Sequence, residues 1–201
     1  MSDILNDVLQ ENHIRKDHIK RKIKNRKKRT IYNMSTKLNS FILPDSVLQK
    51  MKRKVEDSRI KDIEVGFNLC AENGNLHDEN PCAGTACAVD IIKGCARGRY
   101  VGIFHTHPHT SSEPSIQDIA NAYQIGINCI GSTEEKNIKC HIRKDAIPTR
   151  ENLETIISAL VRYESPLHLS KIPEEDIKNY KAWIKVRNDL KKHYLNTVEI
   201  A

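Results

Sequence analysis

Apolar and polar positions alternate along 62–70 (DIEVGFNLC), with Ile63, Val65, Phe67 and Leu69 on one side and Glu64, Gly66, Asn68 and Cys70 on the other. A period of two predicts a half-buried strand there. Residues 99–107 (RYVGIFHTH) are rich in β-formers, and 125–131 and 137–143 read as two strands around the polar turn STEEKN. Shorter strands are expected at 40–44 and 87–92, and 71–81 (AENGNLHDENP) reads as a turn-rich loop. The period lengthens elsewhere. Val47, Leu48, Met51 and Val55 predict a helix over 46–56. Ile116, Ile119, Ala120 and Tyr123 predict another from about 116. Residues 150–163 and 174–196 are also helical in pattern, with a break at Ser165–Pro166. In the last of these, Ile177, Tyr180, Trp183, Ile184 and Tyr194 recur at helical spacing, as expected of a helix packed on the core. Hairpins outnumber βαβ crossovers and no internal repeat is present. The expected fold class is therefore α/β of the α+β type: a mixed sheet flanked by helices rather than a doubly wound one.

Charge changes this picture at one end. The chain has 201 residues and a formal net charge of +7, and residues 1–30 hold ten Lys/Arg against four Asp/Glu. The rest is close to neutral, so the basic character belongs to an arm. Residues 1–12 have a short amphipathic pattern on Ile4, Leu5, Val8 and Leu9. In 15–29 only Ile19 and Ile23 are apolar, too few to bury a face. Such a run is expected to be solvated, and it can also contact nucleic acid or another polyanion through phosphates. The domain reading is a basic arm at 1–39, a main domain at 40–147 and a helical extension at 148–201. Hydrophobic residues are 38% and charged residues 29%, and no apolar run approaches the 18 residues of a membrane span. No signal-peptide pattern opens the chain, so a cytoplasmic location is expected, with Cys70, Cys82, Cys87, Cys95, Cys129 and Cys140 as reduced thiols. Cys82, Cys87 and Cys95 lack C-x-x-C spacing.

The chemistry concentrates in His105-Thr-His107-Pro108 and, after six more residues, Ser115-Ile-Gln-Asp118. Two histidines at i and i+2 on a strand point to the same side, about 7 Å apart at Cα. Asp118 lies in the first turn of a helix that begins after Pro114. If the loop folds that turn back on the strand end, two imidazoles and one carboxylate can share an ion. Such a set leaves a fourth tetrahedral position for water, the pattern of a catalytic zinc site. The chemistry then needs a base and an oxyanion donor, and Glu64 and Ser115 are the candidates. Ser115 and Asp118 also read as a helix capping pair, and His109 reads as a loop residue.

The string HTHPHTSSEPSIQD resembles the signature of the JAMM, or MPN+, metalloprotease family (the JAB domain): H-x-H-P, a fixed gap, then S-x-x-D. A chance match is on the order of 10⁻⁵ to 10⁻⁴ per chain of this length. The resemblance covers about residues 40–147 and implies a curved mixed sheet flanked by helices. It implies one zinc ion per chain on His105, His107 and Asp118. It implies Glu64 as the base that deprotonates water and Ser115 as the donor to the tetrahedral intermediate. The family often has a glycine three positions after its glutamate, whereas Gly66 is two past Glu64, and Glu56, Glu72 and Glu79 are the rival carboxylates. Only Ile119–Asn128 separate Asp118 from the next strand, which implies a compact, prokaryotic-type member. The implied activity is hydrolysis of a peptide or isopeptide bond at the C-terminus of a ubiquitin-like or sulfur-carrier protein. A non-catalytic MPN scaffold and a nucleic-acid-associated JAB protein using the arm at 15–29 are the alternatives.

Overall fold

A computed structural model describes residues 43–85, 94–163 and 177–200. The expectations for 1–12, for the arm at 15–29, for most of the strand at 40–44, for the strand at 87–92 and for the break at 165–166 lie outside these residues. The order is α1 (Asp45–Lys61), β1 (Val65–Glu72), β2 (Asn75–Ala83), β3 (Arg99–His107), α2 (Ile116–Ile125), β4 (Ile127–Ser132), β5 (Ile138–Arg143), α3 (Arg150–Arg162), α4 (Ile177–Tyr194) and β6 (Leu195–Ile200). The six strands form one mixed sheet in the order β2-β1-β3-β4-β5-β6. Only β3 and β4 run parallel, joined through α2; the other neighbours are antiparallel. This is the α+β architecture expected. Among the described residues no helix is long and apolar enough to cross a membrane.

Both sheet faces are covered. Strand alternation sends Phe104 and Thr106 toward α1, where Phe104 packs on Phe67 with ring centroids 4.9 Å apart and Thr106 Oγ1 meets Ser58 Oγ at 2.9 Å. The intervening His105 and His107 face α2. Beneath α2, Ile116, Ile119 and Tyr123 join Ile156 of α3 and Trp183, Leu190 and Tyr194 of α4 in one apolar cluster. Each large side chain buried there contributes roughly 1.5–3 kcal/mol. The C-terminal helices thus pack on the core, as the spacing of Trp183 and Tyr194 implied.

Four expectations change. β1 is not half-buried: Val65 to Cys70 are all buried, because helices cover both faces. The predicted loop at 71–81 is mostly the strand β2, entered through Asn73-Gly74, both at positive φ (51° and 84°). Asn-Gly is the dipeptide that a two-residue hairpin favours. The helix predicted to reach 196 ends at Tyr194, and the chain continues as β6 along the edge of β5. Finally, the cysteines are not all separate thiols: Cys70 is bonded to Cys95, and Cys129 to Cys140 across β4 and β5.

Candidate metal centre

The site is assembled from the end of β3 and the start of α2. His105 and His107 project from the same side of β3, both about nine-tenths buried. Ser115 has extended backbone angles and caps α2. Its hydroxyl accepts the Asp118 N–H at 3.1 Å, and the Asp118 carboxylate accepts the Ser115 N–H at 2.9 Å. This reciprocal cap satisfies two orphan donors of the helix end. It also fixes Asp118 so that its carboxylate faces the strand. His105 Nε2 lies 3.2 Å from Asp118 Oδ1, His107 Nε2 lies 3.7 Å from Oδ2, and the two Nε2 atoms are 3.2 Å apart.

Charge and hydrogen bonding define what this cluster can hold. His107 Nδ1 donates to the Ser111 carbonyl at 3.0 Å, which leaves Nε2 of the neutral ring as a lone pair. Burial, and then the charge of His105, push the His107 pKa below the usual histidine value. Burial also opposes a charge on His105, but Asp118 and Glu64 outweigh it and hold its pKa above the usual value. Burial opposes the Asp118 carboxylate too. The imidazoles of His105 and His107 and the Ser115 hydroxyl overcome it and keep the group ionised well below the ordinary range. The result is a buried set of two imidazoles and one ionised carboxylate. Ligands at 2.0–2.1 Å on a tetrahedral zinc ion stand about 3.3 Å apart, close to the 3.2 Å between the two Nε2 atoms. The residues fit a zinc-class ion.

Glu64 stands just before β1, and the register explains its position. Gly66 is paired with His105, and continuing that register two residues toward the N-terminus puts Glu64, just ahead of β1, on the side of His107. Burial raises its pKa to about 7, with His105 lowering it and Asp118 raising it. A carboxyl poised near neutrality can both take and return a proton. The rival glutamates lie elsewhere. Glu56 is ion-paired with Arg59 on exposed α1, Glu72 ends β1 at the far hairpin, and Glu79 binds the backbone of Ala96 and Arg97. His109 is an exposed loop residue paired with Asp62 at 2.5 Å. Ser115 lies beside Asp118, but its hydroxyl proton is donated to Asp118 Oδ2 at 2.7 Å. Donation to a reaction intermediate would require that proton to turn away from Asp118.

Residues that the sequence pattern did not single out complete the frame. Asn128 on β4, fully buried, donates to Asp118 Oδ1 at 3.2 Å and to the Asp118 carbonyl at 3.3 Å. His141 on β5, also fully buried, contacts the Ser112 carbonyl through Nε2 at 3.2 Å and Thr197 Oγ1 through Nδ1 at 3.1 Å. Because a carbonyl only accepts, Nε2 carries the proton and Nδ1 accepts the hydroxyl. Burial lowers the His141 pKa to about 4. Ser112 Oγ donates to Glu135 at 2.8 Å, and Ser132 Oγ to the Thr110 carbonyl at 2.8 Å. The 108–114 loop is thereby tied to β4 and β5. No local signal in the sequence announced Asn128 or His141.

Residues 93–151 match a family model described as prokaryotic homologs of the JAB domain. That span contains His105, His107, Ser115, Asp118, Asn128 and His141 and excludes Glu64. No curated protein matches the chain.

Proposed function

From the premise that this chain is a member of the JAB-domain family, we propose that it is a zinc-dependent amide hydrolase. The observation that carries this reading is the convergence of His105 Nε2, His107 Nε2 and the Asp118 carboxylate, all buried and within 4.8 Å of one another. When bound there, zinc supplies Lewis acidity and brings water toward ionisation near neutral pH. His105, His107 and Asp118 would hold it. Asn128 and Ser115 orient the Asp118 carboxylate, and the Ser111 carbonyl orients His107. Glu64 takes the proton of the attacking water and returns it to the leaving amine. Its pKa of about 7 suits both halves of that transfer.

The substrate in this reading is a peptide or isopeptide bond at the C-terminus of a ubiquitin-like or small carrier protein, met in the cytoplasm. The basic stretch 15–29 adds a polyanion or nucleic-acid contact to the same reading; its sequence, ten Lys/Arg against one acid, supports it. The test is zinc content and hydrolysis of a ubiquitin-like C-terminal fusion, in the wild type and in a His105→Ala/His107→Ala variant. The wild type should hold zinc at this site and cleave. The variant should lose that zinc and all cleavage. A folded variant with undiminished zinc would refute the ligand set. Wild-type protein that neither binds zinc nor cleaves would leave the scaffold reading.

A further inference from the structure

A second group of metal-binding side chains lies at the other end of the same strands. Cys70 on β1 is the direct cross-strand partner of His77 on β2. Direct partners share a sheet face, and Glu79, two residues on, returns to that face. Cys70 Sγ, a His77 ring nitrogen and a Glu79 carboxylate oxygen all lie within 4.8 Å of one another. His77 Nε2 is 2.9 Å from Glu79 Oε1. A fourth donor arrives on the segment before β3. Cys95 is bonded to Cys70, and Glu79 holds that segment by accepting the backbone N–H groups of Ala96 and Arg97. Asn68 and Asn80 grip it from below, both donating to the Gly94 carbonyl. The group is half closed: Cys70 is fully buried, while the His77 side chain is 26% exposed.

We propose that Cys70, Cys95, His77 and Glu79 form a second metal site, for a borderline-soft divalent cation of the zinc class, open only when the Cys70–Cys95 bond is reduced. The chemistry favours this cation class. Two thiolates, one imidazole and one carboxylate make a four-donor tetrahedral set with no position left for substrate, which is the pattern of a structural site. The bonded and metal-bound states exclude each other, because each sulfur that ligates must be a thiolate. A dithiol gives two electrons and two protons to the Cys70–Cys95 bond and itself becomes a disulfide. The two thiols then lose their protons to solvent as the cation binds. Sulfur atoms on a tetrahedral zinc ion stand about 3.8 Å apart, from Zn–S distances near 2.3 Å. The Cα atoms of Cys70 and Cys95 are 6.0 Å apart, so rotation of the two side chains can open that gap without moving the strands. The site is separate from the His105 cluster, since Cys70 pairs with Tyr100 at the start of β3 and the histidines close its end.

Cobalt(II) titration of the full chain tests this, because sulfur-to-cobalt charge transfer is visible in the near ultraviolet and the His105 cluster contains no sulfur. The His105→Ala/His107→Ala variant serves as the background, so the band reads this site alone and does not depend on the hydrolase reading. Reduced protein should show the band and oxidised protein should not. The band should fall in Cys70→Ser and Cys95→Ser and persist in Cys129→Ser/Cys140→Ser and Cys82→Ser/Cys87→Ser. His77→Gln, a change at a partly exposed position, should weaken cobalt binding even if the cysteine variants fold poorly. A reduced chain with no band would overturn the site, as would a band that survives in His77→Gln at unchanged affinity.

Discussion

The two ends of β1 and β3 use the same strand geometry to gather different donors. At one end, His105 and His107 alternate onto one face and meet Asp118 from a helix cap. At the other, His77 and Glu79 alternate onto one face and meet Cys70 across the hairpin. The first end is buried and carries three candidate donors, so a tetrahedral ion held there would have one position left for water. The second is partly exposed and, in the proposed reduced form, fills all four positions with its own side chains. What separates them is therefore donor count and sealing rather than strand geometry. The His105 end is sealed by a loop pinned to Glu135, His141 and Ser132. The Cys70 end is covered by a short segment anchored by the Cys70–Cys95 bond and by backbone contacts to Glu79 and the two asparagines.

The contrast can be broken first at Glu64. Glu64→Gln keeps the size of the side chain and removes its basicity, so hydrolysis should fall about 10²–10⁴-fold. Zinc content at the His105 cluster, thermal stability and the cobalt–sulfur signal should all stay as in the wild type. Steady-state rates on a ubiquitin-like fusion check this, and full activity would move the base to another residue.

A smaller effect is expected from His141, which supports only the His105 end. Its folded pKa of about 4 lies below the ordinary histidine value of 6.5, so the unfolded chain binds the extra proton first. Its contribution to stability is whole above about pH 6.5 and is lost as pH falls toward 4. The loss should be roughly 2–3 kcal/mol, after allowance for relaxation around the charged ring. Urea unfolding across that range should show the decline, and His141→Gln should flatten it. A wild-type slope unchanged in the variant would assign the acid sensitivity elsewhere.

The smallest effect sharpens the comparison. Asn128→Ala removes the donor that orients Asp118 Oδ1 while leaving every proposed ligand in place. Zinc at the His105 cluster should bind about 10–100-fold more weakly. Competition with a chromophoric chelator reads that change, and cobalt binding at the Cys70 end should not move. Equal weakening at both ends would mean that the variant had perturbed the sheet as a whole.

Much of the His105 end was legible because its rules are local. Alternation places His105 and His107 together, and a Ser-x-x-Asp cap turns Asp118 back to its own helix start. Glu64 was readable as a candidate from its strand, but its distance in sequence from the histidines concealed that the β1–β3 register would bring it opposite His107. Asn128 and His141 were invisible, because an asparagine and a histidine on alternating strands look like any others until neighbours arrive. The Asn73-Gly74 turn was a local signal for β2 that the surrounding polar residues masked.

By itself, then, the sequence determined the elements whose periodicity is internal to them: β3, α2, the β4–β5 hairpin, the packed face of α4, and the spacing of the His-x-His and Ser-x-x-Asp groups. The tertiary structure alone decided which strands lie side by side. From that followed the burial of β1 on both faces, the edge strand β6, the approach of Glu64 to His105 and of Asn128 to Asp118, and the bonding of Cys70 with Cys95 and Cys129 with Cys140. The physical reason is one of range. A side chain's direction is set within two to four residues, but its partners are set by sheet order and register. Those depend on how the helices cover the whole sheet.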